Sequence, residues 1–444
     1  MTATDLTALT ATQAAAIIAR GEISAEDYTR ACLARIEAIE PEIQAFAHLD
    51  SAHALAQARA CDERRLCGEP LGPLHGVPVA IKDIIDTQDY PTECGSPLLS
   101  GRRPTTDATV VTKLRAAGAV IIGKTVTTEF AFFNPGKTRN PHDTGRTPGG
   151  SSSGSAAAVA AGMAPVAIGT QTNGSIIRPG AFCGVYAMKA SHGLISRAGI
   201  LPLSRALDFC GPFARSLEDI ALMLSVIAGY DPEDPDTRAV ALPDFRRFIF
   251  DDWPLEPRFA FVRTPVWDKA DAATRAAFEK LAADLGENCI AIDLPDGFID
   301  AWTAHRTIMA ADMAHHLGGY IDRGGEVISE VLRALVAEGR AVTATGYLSA
   351  LDKQRAYREA FDGIFSHCNA IITPSTRGVA PMGLSSTGDP AFCSLWTLTG
   401  FPSINLPLLE GEDAMPLGVQ VVGPMNDDAR LLRSASWLVR KLGK

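Results

Sequence analysis

The chain has 444 residues, 46% hydrophobic and 21% charged, the balance of an ordinary globular protein long enough for two or three domains. Acids outnumber bases by 51 to 41, for a net charge of −10, which argues against nucleic-acid or anionic-membrane binding through the overall field. No stretch of about 18 uninterrupted apolar residues occurs, so no transmembrane span is expected. The nine scattered cysteines form no C-x-x-C pair or histidine cluster, which points away from zinc and toward reduced thiols in a cytoplasmic protein.

The opening text, MTATDLTALTATQAAAIIARGE, has no basic leader followed by an apolar core, so no signal peptide is expected. From Leu6 to Ala60 the pattern is helical, with Gly21 and Pro41 as helix separators. Three short apolar runs bounded by Gly or Pro then read as buried strands: VPVAI ending at Ile81, GAVIIG at 118–123 and MAPVAIG at 163–169. Between them DATVVTKLRAAG and SAAAVAAG have helical periodicity. That alternation predicts an α/β protein with a mostly parallel sheet covered on both faces. Residues 231–257, rich in Asp and Pro, read as a long surface connection, followed by a strand (RFAFV) and a helix (ATRAAFEKLAADLG). Residues 299–365 are mostly helical and carry no recognisable motif. AIITPS (370–375) and LGVQVVG (417–423) read as closing strands before a last helix.

Three features carry candidate chemistry. GGSSSGSAAAVAAG, from Gly149 to Gly162, runs straight into a helix between core segments, where a flexible linker does not belong. It lacks the Gly-Lys-Ser/Thr ending of a nucleotide loop. Lys82 follows an apolar strand directly. Held in the interior, its ammonium would lose a proton easily and become a usable base. Lys124 follows GAVIIG in the same way, so position alone does not choose between them. In GTQTNGSIIRPGAFCG the Gly and Asn residues allow a tight turn projecting Ser175, with the N–H groups of Thr172, Asn173, Gly174 and Ser175 available as an oxyanion hole. A plain strand-to-loop turn is the alternative.

Together these stretches resemble the amidase signature family. GPLHGVPVAIKDIIDT, EFAFFNPGKTRNP, the GGSSSGS loop and the GTQTNGS loop occur in that family's order, with 69 residues from Lys82 to Ser151 and 24 from Ser151 to Ser175. RALDFCGPFARSLEDIALML, AIITPS, TLTGFPSINLPL and LGVQVVGP extend the match over nearly the whole chain. The resemblance implies one large α/β domain over 1–444 with a central mixed, mostly parallel, twisted sheet. It would comprise N-terminal helices (1–65), a catalytic core (66–230), a variable, mostly helical region (231–365) and the C-terminal part of the core (366–444).

It also implies an amidohydrolase with Ser175 as nucleophile, Ser151 after a cis peptide bond as relay, and Lys82 as base. No metal or cofactor is required, and none of the histidines serves as base. A small-molecule amide is the expected substrate. A homodimer or a small accessory subunit is compatible with the resemblance. The same core also occurs in a glutamine-hydrolysing amidotransferase, as one of its subunits, and a catalytically silent scaffold is a third reading.

The chain departs from the family text at the nucleophile. Gln171 stands where an acid is usual, Asn173 where a glycine is, and Arg178 lies three residues after the serine instead of two. Without that acid, Arg178 is available to a substrate carboxylate, as in a malonamate-like or carboxybiuret-like compound; alternatively it braces a carbonyl or an acid such as Asp208. Arg178, Gln171 and Phe130 are thus the candidate substrate contacts, with Phe132 and Phe133 as further pocket walls. Cys183 and Cys210 read as small buried hydrophobes.

Overall fold

The computed structural model describes residues 3–253 and 255–443, with side chains from residue 6 onward. Pro254 of the surface connection and residues 1, 2 and 444 lie outside the described residues. The strands are β1 (Phe46–Leu49), β2 (Pro78–Lys82), β3 (Val120–Thr125), β4 (Val166–Gln171), β5 (Tyr186–Lys189), β6 (Phe209–Ala214), β7 (Phe259–Arg263), β8 (Cys289–Asp293), β9 (Ala370–Pro374), β10 (Ser403–Glu410) and β11 (Pro416–Val422). All join one sheet in the order β1-β3-β2-β4-β6-β5-β10-β11-β9-β7-β8.

Every residue of β2, β3, β4, β6 and β9 is buried. Successive side chains of a strand point to opposite faces, so unbroken burial means that both faces are covered. The edge strand β8 has no buried residue, only half-buried and exposed ones. Helices supply the cover: Ser51–Leu66 packs on β3, Ser153–Ala160 on β4, Leu217–Ile227 on β6 and Asp428–Lys441 on β10 and β11.

The sheet is mixed, as expected, but antiparallel pairing outweighs parallel pairing. β2 is parallel to β3 and β4, and β7 to β8 and β9. The six remaining pairings are antiparallel. The difference comes from β5, β6, β10 and β11, which lie side by side in the middle of the sheet. A short connection joins β10 to β11, and the longer one from β5 to β6 contains no helix. Parallel neighbours need a crossover, usually helical, so links of these two kinds favour antiparallel pairs.

Two local expectations are corrected. Pro41 does not separate helices: it lies inside the last turn of helix Ala25–Ile43. The expected all-helical opening also contains β1. The described residues of the 231–257 segment are irregular apart from the short helix Phe245–Phe248. The segment is firmly attached, because Asp231 accepts from Thr109 Oγ1 and Asp234 accepts from Arg197.

The Gly/Ser loop is fixed by the sheet edge beneath it. Gly154 N donates to Val126 O at 3.0 Å, and a Cβ on Gly154 would stand 2.2 Å from Ala45 O and 2.5 Å from Val126 N. Backbone atoms cannot withdraw as a flexible side chain can. Gly154→Ala is therefore expected to displace the loop and cost about 1–3 kcal/mol or more. A thermal melt indistinguishable from wild type would show the contact to be slack.

Candidate active site

The apolar strand β2 delivers Lys82 into the interior with 0% exposure. Its Nζ donates to Ser151 Oγ and to Thr170 Oγ1, each at 2.7 Å. Both partners are hydroxyls, and desolvation drives the ammonium pKa well below its ordinary value. Lys124, one strand over, is placed differently. It faces Asp83 at 3.2 Å and donates to Pro91 O and Thr92 Oγ1. Geometry thus separates two lysines that the sequence could not.

Ser151 follows a cis Gly150–Ser151 peptide bond. The neighbouring serines fasten its loop to the sheet. Ser152 Oγ donates to Thr170 O and accepts from Thr170 N, and Ser155 Oγ donates to Ile168 O and contacts Thr125 Oγ1 at 2.7 Å. A Gly/Ser tract whose composition suggests a flexible linker is a set of assigned hydroxyls.

β4 ends at Gln171, and the turn that follows carries Ser175, 8% exposed, ahead of the short helix Ile177–Phe182. The Ser175 hydroxyl and the backbone N–H groups of Thr172, Asn173, Gly174 and Ser175 donate no hydrogen bond to the described residues. Other atoms of the turn are tightly held. Thr172 Oγ1 donates to Asp208 Oδ1 at 2.6 Å, Thr172 O meets His305 Nε2 at 3.0 Å, and Asn173 Oδ1 accepts from Ser394 Oγ at 2.7 Å. Burial pushes the His305 imidazole down to about 4, so it is neutral near pH 7 and its Nε2–H donates to the carbonyl.

Gln171 does not face the substrate pocket. Its Oε1 accepts from Ile176 N (2.8 Å) and Ile177 N (3.0 Å), while Nε2 donates to Thr397 Oγ1 (2.9 Å). It closes the turn from beneath. Phe130 is likewise displaced from its expected role: it is fully buried and packs against Tyr320 with ring centroids 5.4 Å apart. The left-handed backbone at Phe130 and Ala131 turns Phe132 and Phe133 toward the pocket in its stead.

Arg178 is 2% exposed. One nitrogen donates to Gly150 O at 2.7 Å and Thr387 Oγ1 at 3.1 Å. Nε and the other terminal nitrogen have no hydrogen-bond partner among the described residues. Asp208 is not its counter-ion; that carboxylate is taken by Thr172, Leu203 N and Ser204 N. Arg178 therefore braces a carbonyl, as one alternative held, and still keeps unused donors. Desolvation lowers its pKa to about 10, so it stays charged at neutral pH. It lines, with Ser175, Phe132, Phe133, Met309 and Met313, a narrow cavity of ≈ 20 Å³, room for little more than one water.

Sequence reasoning missed His305, Met309 and Met313, which lie in the stretch that held no motif. Their spacing of four residues puts all three on one face of helix Asp300–Gly324, a signal readable only once that helix is known to cover the site. Cys183 and Cys210 are buried, and burial pushes both thiols well up, so neither is a thiolate. Among the described residues, no group of three His, Cys, Asp or Glu side chains is placed to hold a metal, and no helix is long and apolar enough to cross a membrane.

A family model described as Amidase matches residues 27–432. A glutamyl-tRNA(Gln) amidotransferase subunit from Chloroflexus aggregans is 38% identical over 97% of this chain and 96% of its own. Among solved structures, a component of a vestigial protein complex that reveals the origins of an s-triazine catabolic enzyme superposes with TM-score 0.91. It is 31% identical, covering 98% of this chain and 99% of that one. The peptide amidase of Stenotrophomonas maltophilia superposes with TM-score 0.86 at 30% identity, over 98% and 97% of the two chains.

Replacing Gln171 by Leu would strand two buried N–H donors, at about 1–3 kcal/mol each. Gln171→Leu is expected to lower the melting temperature and slow labelling of Ser175 by a serine-directed phosphonate. Gln171→Glu, which keeps the oxygen that accepts from Ile176 N and Ile177 N, should label at nearly the wild-type rate. Equal labelling by wild type and Gln171→Leu would show that the turn holds its shape without this brace.

Proposed function

The chain belongs to the amidase family, and from that membership we propose that it hydrolyses the C–N bond of a small carboxylate-bearing amide or ureido acid, with Ser175 as nucleophile, Ser151 as relay and Lys82 as base. One observation carries the reading: the 2.7 Å contact between Lys82 Nζ and Ser151 Oγ, in a site where the described residues give that lysine no carboxylate partner.

Desolvation favours the neutral amine, and in that form the 2.7 Å contact reverses, the Ser151 hydroxyl donating to the Nζ lone pair, which can then take the proton. Ser151 takes the Ser175 proton as the Ser175 oxygen attacks the carbonyl carbon. The tetrahedral oxyanion is met by the unused N–H groups of Thr172 to Ser175. Run in reverse, the relay protonates the leaving nitrogen, the C–N bond breaks, and water then cleaves the ester.

The substrate class follows from Arg178. A buried guanidinium with unsatisfied donors is costly, and a carboxylate supplies the missing acceptors. A second reading is favoured by the relatives' name: glutamine hydrolysis within a multi-subunit amidotransferase. In that case ammonia release from glutamine would exceed that from simple acid amides, and the chain would co-purify with a partner. A small accessory subunit or a homodimer is compatible with either reading.

The test is release of ammonia or amine from acid amides, ureido acids, neutral amides and glutamine. Ser175→Ala is expected to lose on the order of 10⁴-fold or more in kcat. Arg178→Lys should raise KM for acidic substrates and leave it unchanged for neutral ones; equal KM shifts would remove the carboxylate assignment.

Lys82 makes a separable prediction. Activity requires the neutral amine, so kcat should fall as pH drops through its lowered pKa. Because that pKa lies below its unfolded value, the unfolded chain binds an extra proton between the two, and folding there costs a deprotonation that eases as pH rises. Lys82→Met is therefore expected to abolish turnover yet melt higher than wild type at pH 7, with the gain shrinking toward pH 10. A lower melting point at pH 7 would mean that the hydroxyl contacts outweigh the cost of desolvation.

A further inference from the structure

A second cavity, of ≈ 230 Å³, adjoins the Ser175 pocket and shares Thr172 and Leu203 with it. It is more than ten times the pocket's volume (230 against 20 Å³). Thr170 also lines it, and Thr170 Oγ1 is 2.7 Å from Lys82 Nζ. Arg178 lines only the smaller pocket and is tied to Gly150 and Thr387. The two cavities thus meet the turn before Ser175 from different sides, one carrying the guanidinium and the other beside the lysine.

Proton delivery distinguishes the sides. When the C–N bond breaks, the proton held on Lys82 returns through Ser151 to the departing nitrogen, so that nitrogen faces Ser151, the hydroxyl 2.7 Å from Lys82 Nζ. We propose that the larger cavity receives the leaving group, and that this group is an amine or ureide bearing further N–H donors, not ammonia. The inference rests on amide hydrolysis by Ser175 as read above, but not on the acyl group's carboxylate. The atoms balance: the Ser175 O–C bond forms, the C–N bond breaks, and the Ser175 proton leaves on the amine.

Size and charge both support this. Ammonia needs no room of this volume beside the relay. Ile84, Ile200 and Leu203 give the cavity an apolar wall against which a short carbon chain can lie. Its charges leave an acidic excess. Arg197 pairs with Asp234 and Asp236, and Arg205 with Asp236, so the two arginines are matched by two aspartates. Glu233 and Asp208 remain without an ion-pair partner among the described residues. Burial raises the Asp208 carboxyl to about 6, leaving it ionised at neutral pH. His316, also in the wall, has its pKa lowered by burial and adds no positive charge. Asp208 accepts three hydrogen bonds, which leaves acceptor capacity for a fourth donor.

The experiment uses the full chain and three amides of one acyl group, the primary amide, the N-propyl amide and the N-(2-aminoethyl) amide. The acyl group is one that the wild type turns over, acidic or neutral. Wild type should prefer the aminoethyl amide by kcat/KM. Ala198→Phe, which narrows the cavity from a lining position, should cost the aminoethyl amide about tenfold or more and the primary amide less than about twofold. Glu233→Lys, at an exposed wall position where folding is not at stake, should penalise the aminoethyl amide more than the propyl amide. Equal losses on all three substrates in both variants, or a wild type indifferent to the amine, would overturn the proposal. Turnover confined to neutral acyl groups would sink the carboxylate reading alone, and no turnover of any amide would sink both.

Discussion

Everything in the site depends on burying an amine that has only hydroxyls for company. An ammonium moved into a protein interior loses several kcal/mol of hydration unless a counter-charge replaces it. β2 and β3 offer a comparison within one sheet. Lys124 stands opposite Ile81 in the parallel register, one residue from Lys82, is also buried, and has Asp83 at 3.2 Å. Lys82 has Ser151 and Thr170 instead. The same residue type at adjacent strand ends is in one case half of an ion pair and in the other an amine with reason to be neutral. The placement of one aspartate makes the difference.

A neutral lysine is of use only if its serine is aimed, and the aim comes from the sheet. Ser152 grips Thr170 from both backbone sides while Thr170 Oγ1 holds the lysine, so β4 is the common reference for the Gly/Ser loop and for Lys82. The Ser175 turn leaves the same strand one residue later. It is pinned by Gln171 from within, by His305 from the covering helix and by Ser394 from helix Ala391–Thr399. Preorganisation here means that nearly every polar atom of the turn is engaged, save the groups proposed to meet the reaction.

How legible this was in the sequence varied with how local each cause is. The strands before Lys82 and Lys124 were readable because a short apolar run between glycines has few other uses. The three triad candidates were readable because ordered motifs at fixed spacing carry more information than any composition. The antiparallel middle of the sheet was not, since FCGPFA and SINLPLLE contain prolines and look like motif text before they look like strands. Phe130 and Gln171 failed for a related reason. A residue beside a motif is near the site in the chain, yet a left-handed turn at Phe130 or an inward-facing amide at Gln171 sends the side chain elsewhere. His305 and Met313 failed in the opposite way, being near the turn in space and far from it in sequence.

The small pocket and the larger cavity carry opposite electrostatic deficits. Arg178 is a cation with donors to spare, and Asp208 and Glu233 are anions without ion-pair partners among the described residues. Pairing Arg178 with Asp208 would have been the stable choice, because a buried charge left alone costs more than a buried pair. The turn from Thr172 to Ser175 keeps them apart, with the candidate nucleophile between. A substrate acidic at one end and rich in N–H groups at the other would satisfy both deficits at once, and in doing so would lay its central C–N bond across Ser175. Orientation would then come from charge alone, since the reversed pose puts carboxylate against carboxylate and amine against guanidinium. The electrostatic cost built into the site and the direction in which it would read such a substrate would then have one origin, two unlike charges held on opposite sides of one turn.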